Sequence, residues 1–255
     1  MPHSSRNWAL KLRGGGTLLI HAAPTLHPPD PYAEVMARAM RVRRGDRVLD
    51  LGCGSGHYGL AAAARGAGRV VLTDIDPAAV SCALDNARRN RLRRVEGRTG
   101  SFFRPVRGER FDVIILTLPQ LPAPRPVILT RYGGPDGLLH LRRAARQAPD
   151  HLVPGGRLYI LVTDWAFPPR VAPLFEREGF VLRRVARVER AFQPIEYDRI
   201  APGLFAYLDR RARDGLASYR RNGRWCYLGV SLFEAVLNAP PAPSSGCSRA
   251  ARRCG

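Results

Sequence analysis

The stretch that most constrains this chain is Val48-Leu49-Asp50-Leu51-Gly52-Cys53-Gly54-Ser55-Gly56-His57-Tyr58-Gly59. Arg47 to Leu51 is a short aliphatic run bounded by a turn signal, which reads as a buried strand. The glycines at 52, 54 and 56 let the chain turn sharply and bring its backbone against a ligand with no Cβ in the way. Gly59 to Arg65 then reads as a helix, whose first free N–H groups point back into the turn. A strand, glycine loop and helix in this order hold a nucleotide-like molecule.

The spacing narrows the choice of molecule. A dinucleotide loop needs G-x-G-x-x-G, but here the last position is His57 and the third glycine falls one residue early. Asp50 ends the strand just before the loop. An acid facing the ligand suits one that carries an ammonium and a sulfonium rather than a pyrophosphate. Further on, Arg69 to Thr73 reads as a second strand ending in Asp74-Ile75-Asp76-Pro77. An acid at that position accepts both ribose hydroxyls, and Asp74 takes this role. Asp76, before Pro77, reads as the N-cap of a helix over 78–90.

These two motifs resemble those of the class I S-adenosylmethionine-dependent methyltransferases. The resemblance implies an α/β fold, with a Rossmann-like, seven-stranded, mostly parallel sheet, an antiparallel last strand and helices on both faces. It also implies S-adenosyl-L-methionine as cofactor. The pocket it implies comprises Asp50, Gly52, Cys53, Gly54, Gly56, Asp74, Ile75, Ser101, Phe102 and Leu116. In such a pocket Ser101 stands where an acid usually receives the adenine amine, and Phe102 is available to pack on the ring.

The fourth strand, Phe111 to Leu116, is apolar throughout, as a buried parallel strand should be. It leads into Thr117-Leu118-Pro119-Gln120. Later come Tyr132-Gly133-Gly134-Pro135-Asp136-Gly137-Leu138, a helix to about Ala148, and Leu152-Val153-Pro154-Gly155-Gly156-Arg157-Leu158. Together, over roughly residues 25 to 165, these resemble the release-factor glutamine methyltransferases and their relatives. The substrate loop departs from that family's Asn-Pro-Pro-Tyr. Thr117 offers a hydroxyl in place of the amide, Gln120 replaces the aromatic and Pro119 alone survives. Thr117, Gln120 and Tyr132 are therefore expected to orient the acceptor, joined by Tyr197 from the last insertion. His27 is the candidate base, in a loop that reads equally as structural or as a lid. His140 falls within a helix and reads as structural.

Composition bounds the rest. At 255 residues the chain suits one α/β domain with decorations. Its formal charge of +20 draws anionic partners. However, Lys11 is its only lysine and the arginines are scattered, so nucleic acid is not the favoured partner. The five cysteines show no paired metal spacing and suit a reduced compartment. No run reaches membrane-span length, so the expected location is cytoplasmic, with no metal. Residues 1–30 form an N-terminal segment, with Asp30 as N-cap of a helix from Tyr32 to Arg43. Residues 31–238 form the catalytic domain, in which 192–222 is an insertion over the acceptor pocket, and 239–255 form a disordered tail. The reading that follows is a methyltransferase for a small molecule or short peptide of specialised metabolism. The alternatives are RNA or a ribosomal protein as acceptor, and a cofactor-binding module without catalysis.

Overall fold

The computed structural model describes residues 6–23, 26, 29–30, 32–126, 130–199 and 201–237. His27 and the 239–255 tail lie outside these residues. The elements are β1 (Arg6–Lys11), β2 (Thr17–Ala22), α1 (Ala33–Ala39), β3 (Arg47–Leu51), α2 (His57–Ala64), β4 (Arg69–Asp74), α3 (Pro77–Arg89) and β5 (Val95–Thr99). They continue with β6 (Phe111–Leu116), α4 (Leu139–Gln147), β7 (Leu152–Thr163), α5 (Pro168–Glu176), β8 (Phe180–Phe192), α6 (Pro194–Asp198), α7 (Leu204–Arg213), β9 (Arg220–Asn222) and β10 (Trp225–Leu237).

The main sheet runs β5-β4-β3-β6-β7-β10-β8, and the short β9 adds an eighth strand beside β10. Pairing is parallel from β5 through β7, while β10 is antiparallel to both β7 and β8. The seven expected strands are thus all present, with the antiparallel one inserted where expected. Strand alternation divides the core in two. Val48, Val113 and Ile115 face a layer with α1, α2 and the N-terminal hairpin. Leu49, Leu51, Ile114 and Leu116 face the layer with α4 and α5. The order of strands reverses between β4 and β6 around β3, and ligands of open α/β sheets gather at such a point.

Three local readings change. Residues 6–22 form an antiparallel hairpin around Gly14-Gly15-Gly16 rather than a free covering segment. One edge of it is held by a side chain of α3 and by that of the helix's C-cap, Asn90. The Asn86 side chain accepts from the His21 N–H at 2.9 Å and donates to the His21 carbonyl at 2.8 Å. The Asn90 side chain does the same for Leu19, at 2.8 Å each way. Two amides one helical turn apart thus stand in for a neighbouring strand. The helix α1 is shorter than expected and starts at Ala33. Asp30 does not cap it, because its carboxylate instead accepts the Tyr32 hydroxyl at 2.7 Å. Asp76 does cap α3, accepting from the Ala78 N–H at 2.9 Å.

Close packing of α2 on the sheet requires glycine at one position. A Cβ on Gly59 would lie 2.4 Å from Leu72 Cδ2 and 3.0 Å from the Asp50 side chain. Gly59→Ala should therefore destabilise the fold by about 1–3 kcal/mol through overpacking, read as a lower denaturant midpoint. An unchanged midpoint would contradict the close approach of α2 to β3 and β4.

Candidate active site

The glycine loop is bonded directly to the neighbouring strand. The Thr73 carbonyl accepts from the Gly52 N–H at 2.8 Å and the Cys53 N–H at 2.9 Å. Asp74 continues the pattern: its carboxylate accepts from the Gly54 N–H at 3.0 Å and from the Asp76 N–H at 3.1 Å. Gly56 caps α2 in the left-handed conformation (φ 82°), and a Cβ there would stand 2.8 Å from Ala83 Cβ. Glycine is thus needed by backbone and by packing alike.

Two cavities open on this loop. One, of about 400 Å³, is lined by Asp74, Ile75, Ser101, Phe102 and His140. Ile75 is 72% exposed there, an apolar side chain with no protein cover. Phe102 sits at φ 53°, with the Arg143 guanidinium 4.1 Å from its ring centroid and the His140 ring 5.9 Å away. His140 Nε2–H donates to the Tyr132 carbonyl at 3.0 Å. Burial lowers the pKa of His140, against the Tyr132 bond that favours its protonated form. The other cavity, of about 210 Å³, lies between the loop and the insertion, and includes Cys53, Tyr58, Thr163, Trp165, Tyr197 and Arg190. Gly52, Gly54, Thr117, Leu118, Pro119 and Thr130 line both cavities. The roof of the second cavity is an aromatic cluster in which Trp165, Phe192 and Tyr197 meet edge to face.

Several expected site residues have other roles. Asp50 lines neither cavity and is fully buried. On β3 it shares the face of Val48 and points under α2, where its Oδ2 accepts from the Gly59 N–H at 2.8 Å. Burial, opposed by that bond and reinforced by the Asp74 charge, pushes its pKa up to about 7. Its Oδ1 has no hydrogen-bond partner among the described residues. Leu116 belongs to the α4/α5 layer and is fully buried, away from both cavities. Gln120 lines the second cavity, as expected, but its amide is held by backbone groups. It donates to the Leu161 carbonyl and accepts from the Thr163 N–H at 3.0 Å, clamping the end of β6 to β7. Tyr132 lines neither cavity; it bridges to Leu121 and packs on the cluster beneath the insertion. Thr117 does reach the shared wall, where its hydroxyl donates to the Gly52 carbonyl at 3.1 Å. Cys53 is buried, and burial pushes its thiol pKa up, which leaves it an unreactive lining group.

The charged residues Asp30, Arg131 and Arg190 also line the second cavity, and sequence reasoning gave them no role there. The β8 pattern marks Arg190 as one arginine among many. Only the strand order, which brings the end of β8 beside the start of α1, sets it apart.

The buried Asp50 gives stability a defined pH dependence. Its folded-state pKa of about 7 lies above the ordinary 3.8. The folded chain therefore holds more protons than the unfolded one across that window, and this contribution falls as pH rises through it. Asp50→Asn keeps an acceptor for the Gly59 N–H without the titration. The variant should gain stability over the wild type as pH rises to about 7, whereas parallel stability–pH curves would contradict the assignment. Removing the β6–β7 clamp by Gln120→Ala should lower stability by about 1–3 kcal/mol, because it leaves buried backbone groups unpaired. An unchanged melting curve would return Gln120 to the acceptor side.

Comparisons with known proteins bear on the family and the fold. The release factor glutamine methyltransferase of Xylella fastidiosa (strain Temecula1) is 36% identical over 146 residues, covering 53% of this chain and 53% of that protein. The ribosomal protein L11 methyltransferase of Thiobacillus denitrificans is 41% identical over 112 residues, covering 43% of this chain and 36% of the relative. The chain thus spans about half the length, or less, of these curated relatives. Among solved structures, the Thermus thermophilus 16S rRNA N2 G1207 methyltransferase, in complex with AdoMet and guanosine, superposes with a TM-score of 0.56 at 20% identity. That match covers 89% of this chain and 50% of the other, and it speaks for the fold. Residues 43–172, from just before β3 to within α5, match the methyltransferase domain family, and the chain belongs to that family.

Proposed function

We propose that this chain transfers a methyl group from S-adenosyl-L-methionine to a polypeptide side chain of the translation apparatus. The observation that carries the reading is the pair of cavities meeting at the wall of Gly52, Thr117 and Pro119. This gives a donor chamber and an acceptor chamber with one junction. The residues present fit the donor. Asp74 keeps lone pairs beyond its two backbone bonds and serves the ribose hydroxyls. The uncovered Ile75 and the Phe102 ring offer apolar surface to the adenine, beside the Ser101 hydroxyl. When bound, the donor supplies a methyl group already activated by the sulfonium charge. The tasks left to the protein are alignment and desolvation. Thr117 fixes the junction through its bond to Gly52. Leu161, Leu228 and Val230 line the acceptor chamber with apolar surface, and the Trp165–Phe192–Tyr197 roof keeps water out.

A protein acceptor takes precedence here over a small molecule of specialised metabolism. Both curated relatives are named for protein substrates, a release factor and a ribosomal protein. The basic excess does not by itself argue for RNA. The arginines are scattered along the whole sequence rather than gathered in one run. No helix among the described residues is long and apolar enough to cross a membrane.

The test is transfer of tritium from methyl-labelled S-adenosylmethionine into a ribosomal extract separated into protein, RNA and acid-soluble fractions. Label should enter protein; label confined to RNA or to small molecules would overturn the polypeptide reading. In the same protein, Asp74→Ala should weaken donor binding at least tenfold by calorimetry, because hydrogen bonds to a charged acceptor contribute roughly 1.5–3 kcal/mol each. Undiminished affinity in a folded variant would remove Asp74 from the ribose site.

A further inference from the structure

Arg190 is an incompletely satisfied charge in the acceptor chamber. Its side chain is 25% exposed, and its one ion pair among the described residues is with Asp30, at 3.9 Å. That lies beyond hydrogen-bond distance, and the guanidinium makes no hydrogen bond to any described residue. Five N–H donors held partly out of water without acceptors are costly unless an anion joins them. Asp30 is half satisfied in the same way. One oxygen takes the Tyr32 hydroxyl at 2.7 Å, while the other faces Arg190 across the gap. Both residues line the cavity that continues from the glycine loop. The remaining titratable groups around Arg190 are the carboxylate of Glu196 and the neutral phenols of Tyr32 and Tyr197. Arg131 stands over the Tyr197 ring, 5.9 Å from its centroid.

An opposed carboxylate and guanidinium that do not bond each other are complementary to an α-amino-acid zwitterion. The donor carries such a group at the end remote from its adenosine. Its nucleoside belongs in the chamber of Asp74 and Phe102, so its other end must pass the glycine loop into the chamber of Asp30 and Arg190. Resting on the methyl-donor reading above, we propose that Arg190 binds the methionyl carboxylate of the donor, with Asp30 opposite its ammonium. The end of β8 would then be a positioning element for the donor, supplied by the far side of the sheet from the glycine loop. A planar guanidinium suits this task, since it can receive a carboxylate through two parallel bonds.

The experiment compares two ligands on wild type, Arg190→Gln and Arg190→Lys by isothermal titration calorimetry. S-adenosylhomocysteine carries the amino-acid head, and 5′-methylthioadenosine has the same nucleoside thioether without it. Arg190→Gln should bind S-adenosylhomocysteine at least tenfold more weakly and methylthioadenosine within twofold of wild type. Arg190→Lys should fall between. Unchanged S-adenosylhomocysteine affinity in Arg190→Gln, or an equal loss for both ligands, would overturn the inference while leaving the methyl-donor reading intact. Wild-type protein that binds neither ligand would instead overturn the methyl-donor reading on which it rests.

Discussion

The site depends on one set of bonds between adjacent strands. The Thr73 carbonyl and the Asp74 carboxylate together receive the N–H groups of Gly52, Cys53 and Gly54. The loop after β3 is thereby pinned to the end of β4 and cannot follow α2 independently. The same carboxylate that shapes the loop lines the larger cavity, so loop geometry and the cavity wall share one side chain. Beneath this, Asp50 ties the second turn of the structure, accepting from Gly59 where α2 begins its descent onto the sheet. The two acids divide the labour: Asp74 faces the cavity, and Asp50 supports the frame from inside.

The placement of Asp50 carries an electrostatic cost that the fold retains. A fully buried carboxyl with one unpartnered oxygen, close to a second carboxylate, is disfavoured in its charged form. Charge also organises the opposite side of the chamber, where Asp30 and Arg190 face each other without bonding.

The strand–loop–helix and the cap of α3 were legible in the residues, because each depends on local chemistry, whereas the strand order was legible only through the family resemblance. Glycine spacing, an acid at a strand end and Asp-Pro at a helix start need no tertiary information. The errors arose where tertiary partners decide. Gln120 follows a strand whose end faces the site, and nothing local reveals that Leu161 and Thr163 of β7 take both ends of its amide. Leu116 and Asp50 were misplaced although strand alternation carried the signal: Asp50 shares its face with Val48, and Leu116 shares its face with Ile114. The Leu10–Leu18 hairpin was marked by three glycines between two apolar runs, but its anchoring by Asn86 and Asn90 is a contact across about seventy residues of sequence. Arg190 carried no mark at all until the antiparallel β10 brought β8 round to the start of α1.

The central claim is that two chambers meeting at Thr117 and Pro119 hold the two halves of one methyl-transfer complex. A crystal structure with S-adenosylhomocysteine tests it most directly. The account predicts the adenine between Ile75 and Phe102, both ribose hydroxyls on Asp74, and the sulfur at the Thr117–Pro119 wall facing the chamber of Trp165 and Tyr197. A nucleoside lodged in that chamber, or a ribose making no contact with Asp74, would contradict it.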